Sequence, residues 1–162
     1  MKIVSISEDK KIEKRISITP EIAKKYISNG FEISLPKNYG DHVGFIDEDY
    51  KSQGVDIIED EKKLIQSSDI IIQLGLPSDD KLSHLKENQI LIGVLNPFVN
   101  KEKLDILLKK KINIFSLELL PRITRAQSMD ILSSQANLAG YKAVIESFAY
   151  FEKAIPMMMT AA

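Results

Sequence analysis

The stretch Ile70-Ile71-Ile72-Gln73-Leu74, answered further on by Ile90-Leu91-Ile92-Gly93-Val94-Leu95, decides the fold. In both runs the two alternating sets of side chains are apolar. A strand with one wet face alternates, whereas a strand covered on both faces does not. These two runs therefore read as central strands of a parallel sheet. Four more runs rich in Ile and Val accompany them: Ile3-Val4-Ser5-Ile6, Phe31-Glu32-Ile33-Ser34-Leu35, Val55-Asp56-Ile57-Ile58 and Ile112-Asn113-Ile114-Phe115. Gly, Pro, Asn or Asp bound them, as expected of short strands.

Helical segments lie between the strands. Thr19-Pro20-Glu21 supplies an N-cap, a proline at the first helical position and an acid in the first turn, and Asn29-Gly30 supplies the stop. Asp47 and Asn100 are further N-cap candidates. After Asn100, Leu104, Leu107 and Leu108 form an apolar face, and Lys109-Lys110-Lys111 reads as a helix end whose charges suit the dipole. Alternating strands and helices predict an α/β fold, a parallel sheet with helices on both faces. The last segment, from about Gln127 to about Lys153, is too long for a crossover helix. Leu132, Ala136, Ala139, Ala143 and Ala149 recur in it near helical spacing. Small residues allow close helix approach, so this helix is expected to pack on a partner or to bridge two domains.

The chain has 162 residues, enough for one domain with a core or for one lobe of a larger subunit. At 44% hydrophobic and 28% charged residues it falls in the globular class, not the disordered one. A net charge of -1 gives no footprint for nucleic acid or an anionic membrane. With Cys at 0, disulfides, thiolate catalysis and cysteine metal sites are excluded together. No apolar run approaches the roughly 20 residues of a membrane-spanning helix, so direct membrane insertion is not expected. The end of the chain, Met157-Met158-Met159-Thr160-Ala161-Ala162, reads as a junction with something further, its methionines as filler.

The chemistry-bearing residues gather in Pro121-Arg122-Ile123-Thr124-Arg125-Ala126-Gln127-Ser128-Met129-Asp130, continuing through Leu132-Ser133-Ser134-Gln135-Ala136-Asn137-Leu138-Ala139-Gly140-Tyr141. Polar groups that dense at the junction of a loop and a helix are where an α/β protein keeps ligand contacts. Thr124 and Gln127 also have the spacing of a capping box, Thr as N-cap and Gln three residues on. That box accounts for neither Arg122 and Arg125 nor Ser133. Asp130, Ser133 and Ser134 fall at helical neighbour positions and face one side, and an Asp and a Ser on one helix face make an acceptor-and-donor pair suited to a carboxamide. Arg15 sits between the first strand and the first helix, at the sheet end where this class binds ligands. His42 and His84 have no partner at a telling spacing, and no metal site is expected. The fingerprint G-x-G-x-x-G is missing, as are a Walker loop and H-E-x-x-H.

The segment from Pro121 to Ala143 resembles the N-terminal NAD(H)-binding component of the proton-translocating NAD(P) transhydrogenase alpha subunit. Arg15 in the segment ending Thr19-Pro20, Gly44-Phe45 before Asp47-Glu48-Asp49-Tyr50, and the terminal Thr160-Ala161-Ala162 extend the likeness over essentially the whole chain. The wider family joins this component to alanine dehydrogenase. That branch carries a substrate lysine in the segment that here reads Gln73-Leu74-Gly75-Leu76-Pro77. It carries a catalytic histidine in the segment that here reads Val94-Leu95-Asn96-Pro97. This chain has Gly75 and Asn96. Reducing an imine or carbonyl needs an acid for the heteroatom, while passing a hydride between two nicotinamide rings moves no proton at either carbon and needs positioning and dryness.

The resemblance implies a flavodoxin-like lobe over residues 1–126 and a long linking helix over 127–162, leading to a Rossmann domain that this sequence lacks. It implies that Arg122, Asp130 and Ser133 hold the NAD(H) nicotinamide and that Gln127 reaches the NADP(H) nucleotide on a partner component. Gln127 and Asp130 would then serve the hydride transfer from NADH to NADP+. Arg15 matches a family position near the pocket. The implied partners are a second copy in a homodimer and the NADP(H)-binding and membrane components. The implied location is cytoplasmic, peripheral at the inner face of the cell membrane. The pyrophosphate loop would follow soon after Ala162, so the chain alone is expected to lack the adenosine end of the cleft and to be inactive by itself. The competing readings are an amino-acid dehydrogenase lobe and a non-catalytic interaction lobe.

Overall fold

The computed structural model describes residues 1–153 of the chain. The readings placed on Met157–Met159 and on Thr160-Ala161-Ala162 lie outside the described residues. The chain divides into two compact units, Met1–Leu119 and the stretch from Leu120 onward.

In the first unit the elements alternate: β1 (Lys2–Val4), α1 (Pro20–Ser28), β2 (Glu32–Pro36), α2 (Asp47–Lys51), β3 (Asp56–Ile58), α3 (Glu61–Ser67), β4 (Ile70–Ile72), α4 (Asp79–Ser83), β5 (Ile90–Gly93), α5 (Lys101–Lys109) and β6 (Asn113–Ser116). All six expected strands form, each shorter than its apolar run or offset from it by a residue. They make one sheet in the order β3-β2-β1-β4-β5-β6, every pairing parallel. Without the short edge strand β3, the remaining order is the flavodoxin-like one, so the expected α/β class is borne out. The winding direction reverses between β1 and β4, which makes their carboxyl ends the topological switch point.

The two faces of the sheet bury separate clusters. Val4, Ile71 and Leu91 point to the side where α3, α4 and α5 contribute Leu64, Ile65, Leu82, Leu104 and Leu107. Ile3, Ile33 and Leu35 point to the side of α1 and α2, with Ala23, Tyr50 and Val55. The alternation within Ile3-Val4 and Ile70-Ile71-Ile72 follows from the two-residue period of a strand. Each Ile or Leu fully buried this way contributes about 1.5–3 kcal/mol.

Local signals place the helices. The Thr19 side chain accepts from the Ile22 N–H at 3.3 Å, and Gly30 follows α1 at φ 85°. The expected cap at Asp47 is displaced by one residue. Ile46 is the N-cap of α2, and Asp47 instead accepts from the Asn38 N–H at 2.9 Å across the β2–α2 loop. Asn100 does cap α5 in position, but its amide nitrogen donates to the Leu95 carbonyl rather than bonding the helix.

In the second unit a 3-10 segment, Thr124–Met129, precedes α6 (Ile131–Tyr150). The long helix therefore begins later than the expected start near Gln127. No residue of α6 is buried. Among the described residues no helix is long and apolar enough to cross a membrane.

Candidate functional site

The capping box read at Thr124 and Gln127 does not form. Ile123 is the N-cap of the 3-10 segment and no side-chain bond closes it. The capping device sits at Asp130, whose Oδ1 accepts from the Ser133 N–H at 3.0 Å and whose Oδ2 accepts from the Ser133 hydroxyl at 2.7 Å. Asp is among the strongest N-cap residues, and its neighbour Ile131 opens the true α-helix, so the cap goes to position 130. The two Ser133 hydrogen bonds, backbone first, hold the Asp130 carboxyl below its usual range. It is therefore ionised near neutral pH.

That correction releases Gln127. Its side chain has no hydrogen bond to any described residue, and it lines a cavity of about 310 Å³ with Arg122, Thr124, Asp130 and Ser133. Arg122 Nε stands 4.0 Å from Asp130 Oδ2. The cavity thus presents a cation, a carboxylate, hydroxyls and an amide, all from a single unit. The Ser133 hydroxyl spends its proton on Asp130 and keeps lone pairs for a ligand N–H. Arg122 offers donors to a ligand carbonyl, and Gln127 offers either. None of these groups is an acid poised to protonate a carbon-bound heteroatom near neutral pH. Of the predicted residues, Arg122, Gln127, Asp130 and Ser133 come together in this cavity. Ser134 is turned away, its hydroxyl donating to the Ile131 carbonyl at 3.0 Å.

Arg15 lies in the first unit, in the loop after β1. Its guanidinium pairs with Glu13 at 2.6 Å through Nη2 and at 2.9 Å through Nε. The Arg15 hydrogen bond is the main reason the Glu13 carboxyl is held low. His42, in the β2–α2 loop, has Nε2 3.0 Å from the Lys14 carbonyl and so ties two loops together. Among the described residues no group of three His, Cys, Asp or Glu side chains could hold a metal.

The sequence reading missed a polar network at the switch point. Tyr39 donates to Ser5 Oγ at 2.8 Å, and Ser5 donates to Gln73 Oε1 at 2.9 Å. The Ile6 N–H also reaches Gln73 Oε1, at 2.8 Å. Gln73 Nε2 then donates to Glu8 Oε1 at 3.1 Å, and the same oxygen accepts from the Leu74 N–H at 2.7 Å. Burial pushes the Glu8 carboxyl above its usual range, against the Leu74 and Gly75 amides that lower it. The one signal available was Gln73, a polar residue inside an otherwise apolar strand run. Gly75 and Asn96 stand at the carboxyl ends of β4 and β5. A Cβ on Gly75 would meet only Glu8 Oε2, at 3.8 Å, so space does not dictate glycine there. Asn96 adopts φ 48°, and its N–H donates to Glu118 at 2.5 Å.

A family model described as "Alanine dehydrogenase/PNT, N-terminal domain" matches residues 5–139. An NAD(P) transhydrogenase subunit alpha protein of Rickettsia prowazekii is 43% identical over 100% of this chain and 43% of its own length. The corresponding NAD(P) transhydrogenase subunit alpha protein of Rhodospirillum rubrum is 38% identical over 100% of this chain and 44% of its own length. A solved transhydrogenase from Sinorhizobium meliloti superposes with a TM-score of 0.86 at 36% identity, covering 98% of this chain and 48% of that one. The chain therefore spans less than half the length of these relatives.

Proposed function

Because the chain belongs to the alanine dehydrogenase/PNT N-terminal domain family, with homologues that are transhydrogenase alpha subunits, we propose that it supplies the nicotinamide end of an NAD(H) site. The observation that carries this reading is the cavity lined by Arg122, Gln127, Asp130 and Ser133. A nicotinamide carboxamide has one carbonyl and one NH₂. Arg122 donates to the carbonyl, and the acceptors of Ser133 and Asp130 take the NH₂. Fixing that group fixes which ring face the hydride leaves from.

The residues suit a transfer between two nicotinamides, from NADH to an NADP+ held by a partner component. C4 of one ring gives a hydride and C4 of the other receives it, with no proton to handle. The donor set positions without acid catalysis. Gln127, whose side chain has no hydrogen bond to any described residue, is the residue that spans to the second nucleotide. Gly75 and Asn96 stand where the alanine dehydrogenase branch carries its lysine and histidine, which disfavours an amino-acid dehydrogenase. The whole enzyme's proton translocation, its homodimer and its membrane association belong to the same proposal. So does the division into a lobe over 1–126 and a linking segment over 127–162.

The test is made in the longer polypeptide with its partner components. Arg122→Ala and Ser133→Ala are expected to weaken NADH binding at least tenfold in a fluorescence titration. Gln127→Asn is expected to leave NADH affinity within twofold and to slow hydride transfer at least tenfold. Unchanged NADH affinity in both the Arg122 and Ser133 variants would remove the cavity from the site.

A further inference from the structure

All but three of the 22 Lys and Arg residues are lysine. Arginine is the exception in this chain, found at Arg15, Arg122 and Arg125. Arg15 forks onto Glu13, and Arg122 stands against Asp130, so two of the three meet a carboxylate. A guanidinium is a rigid planar fork that lysine does not replace at a bidentate contact. Arg125 is exposed and has no hydrogen bond or ion pair with any described residue. The 3-10 segment Thr124–Met129 sets where it points. With three residues per turn, positions three apart share a face. Thr124 and Gln127 share the face that lines the cavity, and Ala126, which is buried, lies on the second. Arg125 and Ser128 share the third. Both are exposed and neither lines the cavity. An arginine and a hydroxyl thus stand on an open face about 120° round from Gln127.

We infer that the NADP(H)-binding component docks on this face, with the Arg125 guanidinium forking onto a carboxylate of that protein. The inference rests on the reading that Gln127 spans to a nucleotide held by a partner component. A nucleotide brought to the cavity mouth brings its protein against the rim, and the rim beside Gln127 is Arg125 and Ser128. Protein interfaces are enriched in Arg and depleted in Lys. An arginine with no partner among the described residues, in a chain that otherwise uses lysine, has the composition of such a contact. Two parallel N–H···O bonds to one carboxylate fix orientation as well as proximity. A hydride passing between two rings needs that alignment. A phosphate of the second nucleotide is the poorer occupant, because the face of Gln127, and not that of Arg125, meets the nucleotide.

Association of the longer polypeptide with its NADP(H)-binding component is measured by titration calorimetry, with that component loaded with NADP+ and free of it. Arg125→Ala is expected to weaken association at least tenfold in both states, as truncation of an interface arginine does. Arg125→Lys is expected to weaken it at least threefold, because the charge stays and the fork is lost. The salt dependence of association is expected to be shallower in Arg125→Ala than in the parent. NADH affinity of the polypeptide alone is expected to stay within twofold of the parent in both variants, which separates this contact from the cavity. Unchanged association in Arg125→Ala overturns the inference, and so does full recovery in Arg125→Lys, which would leave only a diffuse charge. A loss confined to the NADP+-loaded component also overturns it and assigns Arg125 to a nucleotide phosphate. The Arg122 and Ser133 variants read the cavity separately. Unchanged NADH affinity in them, with association impaired in Arg125→Ala, would sink the nicotinamide reading and leave the docking face standing.

Discussion

Asp130 shows how one carboxylate can cap a helix and line a cavity at the same time. Its two oxygens accept from Ser133, yet it faces the same opening as Arg122 and Gln127. Asn is as good an N-cap as Asp, so Asp130→Asn separates the two roles. The variant is expected to keep its helicity and unfolding midpoint while losing NADH affinity in the longer polypeptide. A marked drop in the midpoint with unchanged affinity would leave Asp130 a purely structural cap. Glu8 makes a different prediction. Its folded-state pKa lies above the ordinary value, chiefly through burial, with Glu13 raising it and Lys81 lowering it, and with Arg15 also within electrostatic reach. The folded chain therefore binds this proton more readily than the unfolded chain. Its contribution is fully present in acid and is lost as pH rises from the ordinary carboxylate range through the raised value. Glu8→Gln removes the ionisation and keeps an oxygen for the Leu74 amide. At pH 7 the variant is expected to be at least as stable as the parent, with the difference vanishing below about pH 4. A variant clearly less stable at pH 7 by urea unfolding would show that the charge itself holds the network.

Among the elements, the close approach of β4 and β5 rests on one glycine. A Cβ at Gly93 would lie 2.6 Å from the Gln73 carbonyl oxygen and 3.1 Å from a Leu95 methyl. The first clash is with backbone, which cannot rotate away. Gly93→Ala is expected to cost about 1–3 kcal/mol by urea unfolding, as overpacking of a well-filled interior does. A loss under about 0.5 kcal/mol would place the position outside that overpacking range and mean that the ends of the two strands part easily. The elements themselves were readable because their signals are local: a short Ile- and Val-rich run for β1, apolar runs on both alternating sets for β4 and β5, and Thr19-Pro20 for α1. The caps were less readable. Thr124 with Gln127 and Asp130 with Ser133 are both plausible helix starts by spacing, and the choice between them depends on where the chain turns helical. The network of Tyr39, Ser5, Gln73 and Glu8 left only one trace in the sequence, Gln73 in an apolar run, because its members are brought together only when β2, β1 and β4 become neighbours.

Across the molecule, stability is expected to be unevenly spread. The first unit holds two apolar clusters on a six-stranded sheet, whereas α6 buries none of its residues. Opening free energies follow buried contacts. In the 162-residue chain, amides of α6 are expected to exchange with deuterium roughly a hundredfold faster, or more, than those of β1, β4 and β5. Mass-spectrometric exchange on peptides spanning 131–150 and 70–93 checks this. Comparable protection in the two sets would show that α6 is held by contacts the chain makes in solution.

The class of the fold and the identity of the polar cluster from Arg122 to Ser133 could be read from the order of residues alone. Both are written in short-range patterns: apolar runs bounded by turn residues, helical periods between them, and a dense polar stretch opening a helix. The packed chain settled what no local pattern encodes. It chose Asp130 over Thr124 as the cap, left the Gln127 side chain without a hydrogen bond to any described residue, and joined Gln73 to Glu8 at the switch point. These outcomes depend on where the chain turns helical and which strands lie side by side. Packing of each whole unit fixes them, and no neighbourhood along the chain carries that information.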